Sequence, residues 1–221
     1  MTDVPPLNSL YFESHPGPVE VAFYLPNPPI LPNGVSSPWQ VNTETAIDEL
    51  IAINGNHWRK IFTIMAKLCA SHSPSTQAWR ALRAKLFVDT TTDALSVSEF
   101  STSALSTSAL SINALSRRLH FLSDAYKSCD QLAHIKRAPK LDPEAHWHIV
   151  CGLEAQTLLG ITHTNQNRNL DEQGKIRLLP VADNKRWQDH GARLLTPYLD
   201  YRQFPNHLIE QVHTLLHLSN E

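Results

Sequence analysis

Apolar positions change their rhythm several times along this chain. "VEVAFYL", Val19 to Leu25, is an apolar run rich in β-branched and aromatic residues and predicts a first strand. It stops at "PNPPILPNG", because proline fixes φ and has no N–H to give to a ladder. "NTETAIDELIAI" then predicts a helix, with Thr43 or Thr45 able to cap it and Glu44, Asp48 and Glu49 near the positive end of its dipole. "NGN" at Asn54–Asn56 breaks it. In "HWRKIFTIMAKLCA" the residues Trp58, Ile61, Phe62, Met65, Leu68 and Cys69 recur at helical spacing and predict a second helix, which ends at "SHSPST". "QAWRALRAKLFVDTTT" reads as a short helix followed by a strand at Lys85–Asp89.

The unit "STSAL" at 101–105 repeats at 106–110, and "SINAL" follows at 111–115. A five-residue period fits neither strand nor helix, so residues 93–116 read as a low-complexity insert without chemistry. "RRLHFLSDAYKSCDQLAHIKRA" reads as a helix with Leu119, Leu122, Ala125, Tyr126 and Cys129 on one side. "HWHIVCG" predicts a strand, and "LEAQTLLG" a short helix closed by Gly160. Residues 161–191 are polar and read mostly as loop, with one strand at "IRLLPV". "ARLLTP" is the last strand. Residues 206–218 form the last helix, with Leu208, Ile209, Val212, Leu215 and Leu216 inward.

Strands alternating with helices predict a three-layer α/β/α domain with a mainly parallel central sheet, over residues 19–221, preceded by an irregular arm at 1–18. Ligands of such sheets bind beyond the carboxyl ends of the strands. Two loops there are rich in chemistry: "LPNPPILPNG" after the first strand and "TPYLDYRQFPN" after the last.

Composition narrows the classes. At 42% hydrophobic residues the chain can bury a core, and a net charge of −2 counts mildly against nonspecific grip on nucleic acid while leaving room for a local basic patch. Cys69, Cys129 and Cys151 are widely spaced with no CxxC, which reads as a reduced, cytoplasmic protein. No apolar stretch approaches the ~20 residues of a membrane span, and the N-terminus has no signal-peptide pattern. There is no GxSxG, GxxxxGK[ST] or GxGxxG, which leaves hydrolase, P-loop and dinucleotide readings without support. His146 and His148, and His213 and His217, have spacings able to chelate, but with no HExxH or confirming carboxylate they read as solvent-facing, and no metal or cofactor is expected. Trp39, Trp58, Trp79 and Trp147 read as packing groups. In "DNKRWQDHG", Lys185, Arg186 and Trp187 lie in a polar stretch able to touch a phosphate and a base.

In order along the chain, "YLPNPP", "NHWRKIF", "KLFVD", "IVCGLEAQTLLG" and "LLTPYLDYRQFPNHLIEQVHTLL" resemble the motifs of the uracil-DNA glycosylase superfamily, most nearly its mismatch-specific branch. The resemblance implies that fold, and a metal-independent and cofactor-free enzyme that flips a base from DNA and hydrolyses its N-glycosidic bond. It implies that Asn27 positions the attacking water and that Phe23 or Tyr24 stacks on the base. Asp200 would help activate water or steady cationic sugar character. Tyr198, Tyr201, Arg202 and Phe204 would bind substrate, with Arg202 suited to phosphate. The chain departs from the family at Leu25 and Pro26, where Gly precedes the asparagine, and at Tyr198, Leu199 and Asp200, where the family has His or Asn, then Pro and Ser. A second function class follows from those departures: a binding or interaction module that keeps the crevice without the chemistry. In a plainer reading Asn27 is a turn residue, the loop aromatics cap the sheet edge, and Asp200 and Arg202 pin the loop as an ion pair.

Overall fold

The computed structural model describes residues 11–14, 18–32, 43, 45–88, 114–123, 139–161, 168–179 and 192–218. The "STSAL" repeats, Trp39, Cys129, and Lys185, Arg186 and Trp187 lie outside them. The strands are β1 (Tyr11–Glu13), β2 (Val19–Leu25), β3 (Arg117–Phe121), β4 (Ala145–Cys151), β5 (Arg168–Asn169), β6 (Arg177–Leu178) and β7 (Ala192–Thr196). The helices are α1 (Ala46–Asn54), α2 (Asn56–Cys69), α3 (Trp79–Ala84), α4 (Gly152–Leu158) and α5 (Asn206–Leu218).

The α/β class holds, but the sheet is mixed. Its order is β1-β3-β2-β4-β7-β6-β5. The centre, β3-β2-β4-β7, is parallel, while β1 on one edge and the β5–β6 hairpin on the other run antiparallel. The expectation of a mainly parallel sheet overlooked these edges because they are so short. β1 lies inside the segment read as an irregular arm, and it is held by Phe12, which is buried in the core.

Two other expectations are corrected. "RRLHF" is a strand, not the start of a helix, and all its residues are buried. Its period is two: Leu119 and Phe121 enter the core on one face, while Arg118 and His120 point to the other. "KLFV" at 85–88 is a turn that follows α3, and its Leu86 and Phe87 bury as the tail of that helix.

Val21, Phe23 and Leu25 of β2 pack against α1, α2, α3 and α5 in one core cluster. Ala22 and Tyr24, on the opposite face, share a second cluster with Val150, Leu195 and Ala155 of α4. From β2 the chain passes through α1–α3 on the first face to reach β3. The connection after β4 leaves by α4 on the second face. The order therefore reverses between β2 and β4, and this is where an open α/β sheet has its crevice. Among the described residues no helix is long and apolar enough to cross a membrane.

Candidate functional site at the carboxyl edge of the sheet

Registers Leu25↔Phe121, Tyr24↔Val150 and Cys151↔Thr196 bring the ends of the four parallel strands to one edge. The loops after β2 and β7 are thus on the same side of the sheet. β4 lies between them, so their roots are about 10 Å apart, two strand spacings. Asn27 and Asp200 share an edge, with a strand between their roots.

The loop after β2 is fixed by backbone and by one asparagine. Leu122 N–H donates to Leu25 O at 3.0 Å and Ser123 N–H to Pro26 O at 2.8 Å, continuing the β2–β3 pairing past the strand ends. Ile30 N–H donates to Asn54 Oδ1 at 2.7 Å, and Asn54 Nδ2 donates to Ile30 O at 2.8 Å and to Leu50 O at 2.9 Å. The residue that breaks α1 therefore also clamps the proline loop. Asn27 is exposed in this loop. Gly55 follows at φ +74°, outside the reach of most side chains, and turns the chain into α2.

At the end of β4, Gly152 has φ +85°, and a Cβ there would come within 3.2 Å of Cβ and Cδ2 of Tyr198. Tyr198 sits against this bare backbone. Its ring stacks on His57, from the first turn of α2, with centroids 5.5 Å apart and an interplanar angle of 8°. Its hydroxyl and His57 Nε2 share a 3.0 Å hydrogen bond. Burial, followed by the nearby Cys151, Glu154 and Asp200, pushes the Tyr198 phenol up to about 12, so it is neutral at physiological pH.

Asp200 is built into its own loop. One carboxylate oxygen accepts from Lys60 Nζ at 2.8 Å and the other from Arg202 N–H at 2.9 Å, and its carbonyl accepts from the N–H groups of Gln203 and Phe204. The Lys60 hydrogen bond above all holds the carboxyl below its ordinary range. The ion partner is thus Lys60, not Arg202, whose side chain is exposed. Tyr201 is half-buried, with Lys67 Nζ 5.0 Å from its ring centre. Phe204 is fully buried and anchors the loop in the core. Phe23 and Tyr24 are fully buried on opposite faces of β2, so neither presents a ring to a base. A buried strand interior, not a loop, carries them.

Sequence reasoning passed over His57, Lys60 and Gly152. It also passed over a polar cluster on the second face. There Asp142 Oδ2 accepts from Arg118 Nη1 at 2.6 Å and from His120 Nε2 at 3.0 Å. The Tyr24 hydroxyl accepts the Asp142 N–H at 2.8 Å, which leaves its proton to donate to His148 Nδ1 at 2.9 Å. The Tyr24 ring stacks on His120 at 5.1 Å. Burial holds His120 below its ordinary range, outweighing the pull of Asp142. Burial alone would raise Asp142; His120, the Glu144 N–H and Arg118 outweigh it and hold the carboxyl well below its usual range. The signal was the alternation of Arg118 and His120 with apolar residues, masked by the helical reading of that segment.

The histidine pairs are not solvent-facing as expected, His146 excepted. His148 is buried, and His213 and His217 donate from Nε2 to the carbonyls of Ala70 at 2.8 Å and Leu68 at 3.3 Å, where α2 ends. Among the described residues no three His, Cys, Asp or Glu side chains are grouped to hold a metal ion. Cys69 and Cys151 are free thiols, and both are buried.

A family model described as "Family of unknown function (DUF6942)" matches residues 17–123 and 121–217. The chain belongs to that family. No curated protein and no solved structure matches it.

Proposed function

We propose that this DUF6942 chain recognises a nucleobase at the crevice between β2 and β4. The observation that supports this most is the Tyr198–His57 stacked pair, seated on Gly152 at the end of β4. A stacked aromatic pair with a hydrogen-bonding edge, where strand order reverses, suits a flat heterocycle. The resemblance of the motif order to that of uracil-DNA glycosylases supports a base carried in nucleic acid.

Binding without excision is the better-supported form of this reading. Both carboxylate oxygens of Asp200 already accept hydrogen bonds, one of them from an ammonium, and this lowers its basicity toward water. Excision is the second reading, favoured by the exposed Asn27 amide, in a loop that resembles the one carrying the water-holding asparagine of uracil-DNA glycosylases.

The test is a screen of single-stranded and duplex DNA carrying uracil, mismatched thymine, hypoxanthine or etheno bases, scored for binding and for abasic sites. Binding weakened by Tyr198→Ala, without cleavage, is the expected result. Cleavage lost in Asn27→Ala or Asp200→Ala would make the protein an enzyme. Neither binding nor cleavage would overturn both readings.

A further inference from the structure

Residues 50–88 contain Arg59, Lys60, Lys67, Arg80, Arg83 and Lys85 and not one Asp or Glu, in a chain where acids outnumber Lys and Arg by 21 to 19. The fold gathers most of this stretch into α2 and α3 and adds the loop after β7 beside them. Lys60 meets Asp200 of that loop, and Lys67 lies between the loop and α3, with Nζ 5.0 Å from the Tyr201 ring and 5.2 Å from the Trp79 ring. Arg80 lies over Trp79 at 5.6 Å. Lys67 Nζ also donates to Asn206 Oδ1 at 2.9 Å, so this lysine is an anchor that fixes both rings. Arg59, Arg80 and Arg202 are exposed, while Trp79 and Tyr201 are half-buried. Among the described residues the acids recorded against these lysines are Asp200, on Lys60, and Glu210, near Lys67.

Lys60 and Lys67 are seven residues apart and so lie on one side of α2. From His57 to Lys67 the helix rises about 15 Å, long enough to run beside a few nucleotides of an extended strand. The strip begins at the Tyr198–His57 pair and interleaves cations with aromatic rings along its length. A duplex offers such rings only paired, stacked bases. An unpaired strand offers base faces as well as phosphates.

We propose that α2, α3 and the loop after β7 form a track for single-stranded nucleic acid leading to the Tyr198–His57 pair. Arg59, Arg80 and Arg202 hold the phosphates and Tyr201 with Trp79 meets the bases. This deepens the base-recognition reading and rests on it for the end-point of the track, but its cations are tested separately.

The experiment measures fluorescence anisotropy of a labelled single-stranded oligonucleotide, and of a hairpin duplex of the same composition, between about 50 and 200 mM salt. The full chain is compared with a variant carrying Arg59→Glu, Arg80→Glu and Arg202→Glu, with Tyr201→Ala, with Tyr198→Ala, and with Arg168→Glu. Arg168 is exposed on β5, away from the track, and serves as the control. The wild type should prefer the single strand. In the triple variant the slope of log K against log salt should shrink by about 2, at ~0.7 per lost phosphate contact. Tyr201→Ala should weaken binding about ten-fold without changing the slope, as loss of one stacked base would. Arg168→Glu should match the wild type. A triple variant that binds like the wild type, or a wild type that prefers the duplex, overturns the track. A weakened triple variant beside an unchanged Tyr198→Ala overturns the base-recognition reading alone. A wild type with no salt-dependent binding overturns both.

Discussion

Removing the Asp142 carboxylate should cost this protein about 3 kcal/mol. The carboxylate is 1% exposed and accepts three hydrogen bonds, from Arg118, His120 and the Glu144 N–H, at 2.6, 3.0 and 3.0 Å. Breaking a buried pair by deleting one partner typically costs about 3–5 kcal/mol, because the other charge stays behind. Arg118 retains Glu13 at 3.2 Å and Glu144 at 3.3 Å, which places the loss at the low end. At about 2–4 °C per kcal/mol for a domain of this size, Tm should fall by roughly 6–12 °C in Asp142→Ala. Urea unfolding followed by circular dichroism measures the loss. Asp142→Leu combined with Arg118→Met should be less destabilised than the two single changes added together, since no stranded charge remains. The pH dependence has a definite sign. The folded carboxyl is held below its unfolded value, so its stabilisation is complete above about pH 4 and is lost as the pH falls through the folded value. Asp142→Ala should therefore flatten the acid limb of stability against pH. A loss under about 1 kcal/mol at neutral pH, with an unchanged m-value, would refute this account of the cluster.

Gly152→Ala should lose about 1–2 kcal/mol from the φ of +85° alone and should push Tyr198 off the bare backbone, which urea melts and the ring-proton shifts of Tyr198 and His57 would report. Asn54→Ala removes three hydrogen bonds at a partly exposed site; it should cost about 1 kcal/mol globally, yet speed amide exchange at Ile30 markedly. Burial holds the His213 imidazole below its ordinary range, so the unfolded chain takes up its proton first and stability falls as the pH drops below about 6.5. His213→Gln should make that fall shallower, with His120 still contributing, and an unchanged pH profile would sink the assignment.

The elements with unmixed periodicity were legible in the sequence. β2, α2, β4, β7 and α5 stand where their patterns put them, and parallel pairing brought the two chemistry-bearing loops to one edge. The misreadings have physical causes. "RRLHF" carries Arg118 and His120 on one side of a buried strand, and burying charge on a sheet face runs against the pattern by which strands are recognised. The carboxylate of Asp142, with those of Glu13 and Glu144 beside Arg118, makes that burial tolerable. Within the site, the loop residues were legible by type but not by partner. Asp200 pairs with Lys60, and Tyr198 with His57, both from a helix about 140 residues earlier, and no local spacing encodes that.

Two polar centres compete for the role of functional site, and access decides between them. Perturbed ionisable groups often mark functional sites. By that criterion the Asp142 cluster would win, since Asp142, His120 and Tyr24 are all displaced from their ordinary ranges. Yet Tyr24, His120, Asp142 and His148 are each no more than 2% exposed, and two of the bonds run to backbone N–H groups of residues 142 and 144. A substrate would have to displace packed side chains to reach them. What the cluster does is tie the segment before β4 to β2 and β3, and so fix the register of the parallel centre. Tyr24 and His120 stand one residue short of the ends of β2 and β3, so the cluster also steadies the strand ends that carry the loops of the carboxyl edge, where Gly152 seats Tyr198. The carboxyl edge has milder electrostatics, but His57, Asn27 and Arg202 are open to a partner. The buried cluster thus positions, and the exposed edge meets the ligand.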